Sequence, residues 1–331
     1  GTRKRPTLVF NGHTDTVPFG HGWTYDPVGA QLENGRIYGR GACDMLAGVA
    51  AMSEAVVALH RSGVPIAGRV LVHAVIDEEV DAIGSQSAAS GLEADWVIVT
   101  EASGDRIAAF GKGQINVEIS FRGKAAHSSL PELGRNAIND AAAFVTLLEG
   151  EAARLADSPF PGVGPVTFTP AIVHGGSHGS TVPAECKLVL DRRLLPTETL
   201  EQAQRHIEDL LARLALERPG LDASLEPTLL FPPLPPAEDD TLAVAIQQAA
   251  AELGVAVPEV GGFTGATDAA WYAANGISAV IYGPGDGQTA HQPDEFIAVD
   301  DLHSTTRVLA LAALRLVGPG VAASPGGPFR P

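Results

Sequence analysis

Two histidines and three acids, His13, Asp44, Glu79, Glu101 and His291, lie far apart in the chain but share the ligand types that a pair of zinc ions takes. Two ions sharing one water acidify it and polarise an amide carbonyl in the same place, so the chemistry to look for is hydrolysis. His13 and Asp15 stand two apart at the end of an apolar run. In a strand both would point to one side, where the carboxylate could hold the imidazole in one tautomer; a surface pair capping a turn fits the same spacing. Asp44 closes the stretch Gly39-Arg40-Gly41-Ala42-Cys43-Asp44 ahead of an Ala-rich segment. An N-cap is the ordinary role there, and a carboxylate bridging two cations through its two oxygens is the chemical one. Asp77, Glu78 and Glu79 end a second apolar run, and three adjacent carboxylates at a buried edge repel unless cations or protons relieve them. One glutamate could ligate while its neighbour carries protons, although an acidic loop start in an acidic protein would look alike. Glu101 ends a third run, and His291 follows the Gly-rich loop at 283–287.

The elements that must position these residues are legible as patterns. The runs 7–10, 70–76 and 96–100 read as buried strands, and 44–61 has helical spacing through Leu46, Val49, Met52, Val56 and Leu59. Strand, helix, strand alternation predicts an α/β sheet whose carboxyl edge is where ligands bind. After Gly113 the style changes. Strands are expected at 114–121, 167–173, 186–195 and near Ala223, with helices over 133–148 and from Thr197. This is an α+β insert. The run Phe231-Pro232-Pro233-Leu234-Pro235-Pro236 reads as a stiff linker. A helix at 241–253, a strand at 279–282 and a helix at 302–317 then restore the first style. The expected organisation is a catalytic domain from 1–112 and 229–317, a lid or dimerisation domain at 113–228, and a disordered tail at 318–331.

Composition excludes several classes. A net charge of −17 over 331 residues lacks the clustered cations that a nucleic-acid surface needs, and no run approaches the length of a membrane span. Two well-separated cysteines suit a reducing cytoplasm better than a disulfide framework. Gly175-Gly176-Ser177-His178-Gly179 fits the GxSxG of serine hydrolases, but that elbow needs a helix after it, and the following segment reads as a strand. No GxGxxG follows a strand, which disfavours a nucleotide-binding domain.

The motifs HTD at 13–15, GRGACDM at 39–45, DEE at 77–79, Glu101, GKAAHS at 123–128, DRR at 191–193 and AHQPDE at 290–295 occur in an order that resembles one family. It is the zinc metallopeptidase and deacylase family of acetylornithine deacetylase, succinyl-diaminopimelate desuccinylase and carboxypeptidase G. The resemblance implies a zinc-exopeptidase-like mixed sheet flanked by helices, with an inserted ferredoxin-like lid. It implies two Zn2+ ions, with Co2+ or Mn2+ as substitutes. Asp44 would bridge them, His13 and Glu101 completing one site and Glu79 and His291 the other. Glu78 would be the general base, Asp15 would orient His13, His127 would help hold the oxyanion across a homodimer, and Arg192 would grip a substrate carboxylate. The substrate would be a small N-acyl amino acid, of the acetylornithine or succinyl-diaminopimelate kind. A carboxypeptidase or dipeptidase of the same family, or a non-catalytic metal-binding member, is the alternative. The chain departs from the family where Leu46 and Ala47 follow Met45 and where Ser180 and Thr181 precede Val182-Pro183. Only twelve residues precede His13, so a first helix and strand are expected to be missing.

Overall fold

Alternation of side chains sets the layers. The chain begins with β1 (Thr7–His13), β2 (Gln31–Glu33), β3 (Arg36–Tyr38), α1 (Leu46–Ser62), β4 (Arg69–Val75), α2 (Ile83–Ala89), β5 (Trp96–Ala102) and β6 (Arg106–Gly111). On β1 and β5, Leu8, Phe10, Trp96 and Ile98 join one apolar core, while Val9, Val97 and Val99 join another on the opposite face. Burial on both faces is what a parallel strand covered by helices requires. The computed structural model describes residues 6–104, 106–237 and 239–319. These divide into two units, the first drawn from 1–111, 234–263 and 267–331, the second from 112–233 with 264–266. From residue 320 on, the expected disordered tail lies outside the described residues.

The second unit contains β7 (Gly113–Arg122), α3 (Ala137–Ala156), β8 (Thr167–Gly175), β9 (Glu185–Leu194), α4 (Leu200–Glu217) and β10 (Asp222–Phe231). Its sheet has the order β10-β7-β9-β8 with every neighbour antiparallel, the ferredoxin-like βαββαβ arrangement. Both helices start later than their periodicity suggests. Asn136 accepts hydrogen bonds from the N–H groups of Ile138 and Asn139 and so begins α3 at Ala137. Thr199 and Gln202 form a reciprocal capping box that begins α4 at Leu200. Phe231 belongs to β10 rather than to the linker. No helix follows Ser177, which lies in the loop between β8 and β9, so the serine-hydrolase elbow is absent.

The chain re-enters the first unit with α5 (Thr241–Leu253), β11 (Glu259–Phe263), α6 (Ala269–Ala274), β12 (Ser278–Gly283), β13 (Phe296–Ala298) and α7 (Val299–Val317). The main sheet is mixed, in the order β11-β6-β12-β5-β1-β4. β4, β1 and β5 are parallel neighbours in which His13 pairs with Val75 and Asn11 with Val99, so their carboxyl ends finish together. α1 seats directly on β5: a Cβ on Gly48 would stand 2.0 Å from the carbonyl oxygen of Thr100. That close approach, open only to glycine, carries the start of α1, and with it Asp44 two residues ahead of Leu46, to the strand end bearing Glu101. Among the described residues no helix is long and apolar enough to cross a membrane.

Candidate metal centre

Strand ends deliver two of the candidate ligands and loops deliver the rest. His13, the last residue of β1, is wholly buried. Its Nδ1 stands 2.9 Å from the backbone carbonyl of Asp15. A carbonyl only accepts, so Nδ1 carries a proton, and in the neutral ring Nε2 keeps its lone pair for a cation. That Nε2 faces Asp44 Oδ1 and Glu101 Oε1, each at 3.1 Å, and Glu78 Oε2 at 3.9 Å. The orienting group is therefore the carbonyl of Asp15 and not its carboxylate, which lies 3.7 Å from Nδ1 through Oδ1 and accepts the N–H of Glu79 through Oδ2 at 3.1 Å.

Across Asp44 the pattern repeats. His291 Nε2 is 3.1 Å from Asp44 Oδ2 and 3.1 Å from Glu79 Oε2. His13, Asp44 and Glu101 form one group of potential ligands within 4.8 Å of one another, and Asp44, Glu79 and His291 form a second. Asp44 turns a different oxygen to each imidazole, the arrangement a bridging carboxylate needs. Imidazole and carboxylate donors suit zinc and its first-row neighbours, so the donor set fits a pair of such ions.

Electrostatics point the same way. Burial pulls the His13 imidazole down, but hydrogen bonds to Asp44 and Glu101 and the charges of Glu101 and Glu78 overcome it and push its pKa up to about 12. Hydrogen bonds to Asp44 and Glu79 hold His291 up at about 10. Against the desolvation of Asp44, the two imidazoles hold its carboxyl well below the usual range. Burial, then the charges of Glu101 and Asp268, push Glu78 well above it, and burial with the charge of Asp44 raises Glu101.

Three residues here receive no role from the sequence, although two of them lie within its motifs. Asp268 is 1% exposed, yet neither carboxylate oxygen has a partner in hydrogen-bonding geometry among the described residues; the Ser85 hydroxyl acts on it from outside that geometry. Burial raises its pKa to about 7. Arg40 and Glu295 form a buried ion pair beside Asp44. Buried acids and cations carry no periodic signal, so only a rule pairing the charges inside the GRGACDM and AHQPDE segments could have found the latter two.

In the second unit His127 is exposed, and its Nδ1 accepts the N–H of Ser129 at 3.1 Å, which leaves the proton of the neutral ring on Nε2. Arg192 does not meet its expectation. Its side chain is wholly buried, shares the inward face of β9 with Leu188 and Leu190, and is paired with Glu198 at 2.8 Å. A substrate carboxylate would have to displace Glu198. Arg193, next in the strand, takes the opposite face and pairs with Asp191 at 3.0 Å.

A sequence profile of peptidase family M20/M25/M40 matches residues 9–315. The chain belongs to that family. It is a hydrolase of amide bonds, and the family's metallopeptidases bind metal ions. M20 relatives include a succinyl-diaminopimelate desuccinylase of Stenotrophomonas maltophilia, 32% identical over 90% of this chain and 81% of that protein. An acetylornithine deacetylase of Myxococcus xanthus is 29% identical over 95% and 81%. Among solved M20 structures, a dinuclear metal-binding peptidase of Bacillus subtilis superposes with a TM-score of 0.71 at 17% identity, covering 96% of this chain and 83% of that one.

Proposed function

We propose that the protein removes the acyl group from a small N-acyl amino acid at a centre of two zinc ions. The observation that supports this most is Asp44, which turns Oδ1 to His13 and Oδ2 to His291, each at 3.1 Å. His13 and Glu101 would hold one ion, Glu79 and His291 the other, with Asp44 between them. When bound, the ions supply an acidified water and a polarised amide carbonyl.

Glu78 is the base. Buried beside other acids, its carboxylate has a raised proton affinity, which suits a group that takes a proton from the attacking water and returns it to the departing amine. The Asp15 carbonyl keeps His13 in the tautomer that presents Nε2. His127, with its proton on Nε2, is suited to donate to the developing oxyanion of a second copy's active site. Arg193 is the arginine of β9 with enough exposure to meet a substrate carboxylate, at 30% for its side chain against none for Arg192; its planar fork fits that group. A homodimer through the second unit is supported by β8, an edge strand on which Ile172 and Val173 are exposed. The buried free thiols Cys43 and Cys186 suit a reducing, cytoplasmic setting.

Zinc- or cobalt-loaded protein assayed against acetylornithine, succinyl-diaminopimelate, other acyl amino acids and dipeptides tests the reading. Turnover of the acyl amino acids above that of dipeptides is expected. Dipeptide cleavage alone would move the protein to the peptidases of its family, and zinc-dependent turnover that survives Glu78→Gln would remove the base from the account.

A further inference from the structure

Glu295 is 1% exposed and belongs to neither group of potential ligands. Its Oε1 accepts the backbone N–H groups of Cys43 at 2.8 Å and of Asp44 at 3.0 Å, while Oε2 accepts from Arg40 Nη1 at 2.5 Å. Its own carbonyl accepts the N–H of Gly39 at 2.9 Å. Arg40 also donates to the carbonyl of Gln292 at 3.4 Å. One ion pair thus fastens the segment bearing Asp44 to the segment bearing His291. The latter gains from fastening, because His291 has φ +62° and Asp294 φ +58°, a left-handed conformation sparsely populated outside glycine, although Asp and His enter it more readily than most side chains. His13 and Glu101 are held differently, inside the ladders of β1 and β5.

We propose that Glu295, held by Arg40, is a positioning residue for the metal centre, and that its loss weakens the Asp44–Glu79–His291 triad selectively. The inference rests on the two-metal reading above. The plain alternative is a staple that stabilises two loops without bearing on metal binding.

Cobalt(II) titration of the metal-depleted protein, followed by calorimetry and by visible absorption, separates the two. The proteins compared are the wild type, Glu295→Gln, and the double variant Arg40→Met with Glu295→Met, in which both buried charges leave together so that neither is stranded. Thermal unfolding without metal monitors the fold. The wild type should bind two ions. Both variants should bind the first within about threefold of wild type and the second about 10–100-fold more weakly, with an altered second-ion spectrum, the range in which supports behind ligands act. Should the double variant not fold, Glu295→Gln carries the test alone. A second-ion affinity and spectrum unchanged in the folded variants, or equal weakening at both sites, would overturn the inference and leave the two-metal reading standing. A wild type that binds fewer than two ions would overturn the reading and the inference with it.

Discussion

Each unit contains a cluster of buried acids, and the two are balanced differently. In the second unit Asp140, wholly buried, is met by Arg135 at 2.7 Å and Arg218 at 2.6 Å, and Glu151 by Arg154 at 2.5 Å and His206 at 2.8 Å. Each acid there has cations of the chain's own, as a buried charge requires. In the first unit the ion pairs of Asp44, Glu78, Glu79 and Glu101 among the described residues are with two imidazoles alone, His13 and His291, and the buried Asp268 has no partner in hydrogen-bonding geometry. Glu78, Glu101 and Asp268 respond with raised proton affinities. The contrast teaches that an acid cluster with internal partners is scaffold, whereas one that lacks them is prepared for cations from outside.

The contrast breaks most visibly at Asp44. Asp44→Asn takes a shared oxygen from both triads, so metal analysis should find neither ion retained and the assay no turnover; a variant that keeps both ions would refute the bridging role. Glu78→Gln should retain both ions and lower kcat about 10²–10⁴-fold, the usual worth of a positioned base. In the other cluster the effect should fall on stability alone. Asp140→Asn strands Arg135 and Arg218 and should cost about 3 kcal/mol in denaturant unfolding, with metal content unaltered.

A smaller effect separates the clusters by pH. The Arg154 hydrogen bond, with His206 adding to it and burial opposing, holds Glu151 down at about 2. Its folded pKa lies below its unfolded value, so its contribution is present above the ordinary carboxylate pKa of 4.5 and is lost as pH falls through about 2. Between those values Glu151→Gln should flatten the acid limb of a stability profile; a limb as steep as that of the wild type would exclude the linkage. Arg154→Ala should shift the unfolding midpoint least of these variants, because its side chain is 64% exposed and solvent screens the pair; a midpoint loss as large as that of Asp140→Asn would contradict this.

What the sequence made legible follows from the same physics. The runs that became β1 and β5 announce themselves because burial on both faces demands unbroken apolar residues, and the His and Glu that end them stand out for that reason; the run at 70–76, read as a buried strand, became the edge strand β4, and Val72 and Ile76 of that run are exposed. The α+β insert was equally plain, since β7 alternates and α3 and α4 have apolar faces. Helix starts were less so, because Asn136 and Thr199 act through single hydrogen bonds that periodicity does not register. Asp15 was singled out for its carboxylate, while its backbone carbonyl holds His13, an atom that every residue possesses. The resemblance gives Arg192 the family's arginine role by position in the DRR motif, which says nothing of which face it takes: Cys186, Leu188 and Leu190 mark the inward face of β9, and Arg192 falls in step with them. Arg40, Glu295 and Asp268 are buried polar residues whose partners come from distant segments or, for Asp268, are not in hydrogen-bonding geometry, so no local pattern reveals them.

Anomalous diffraction from crystals grown with zinc tests the central claim most directly. The account predicts two peaks about 3.5–4 Å apart, one beside His13 and Glu101, the other beside Glu79 and His291, with Asp44 touching both. A single peak, or two of which either lies away from Asp44, would contradict it.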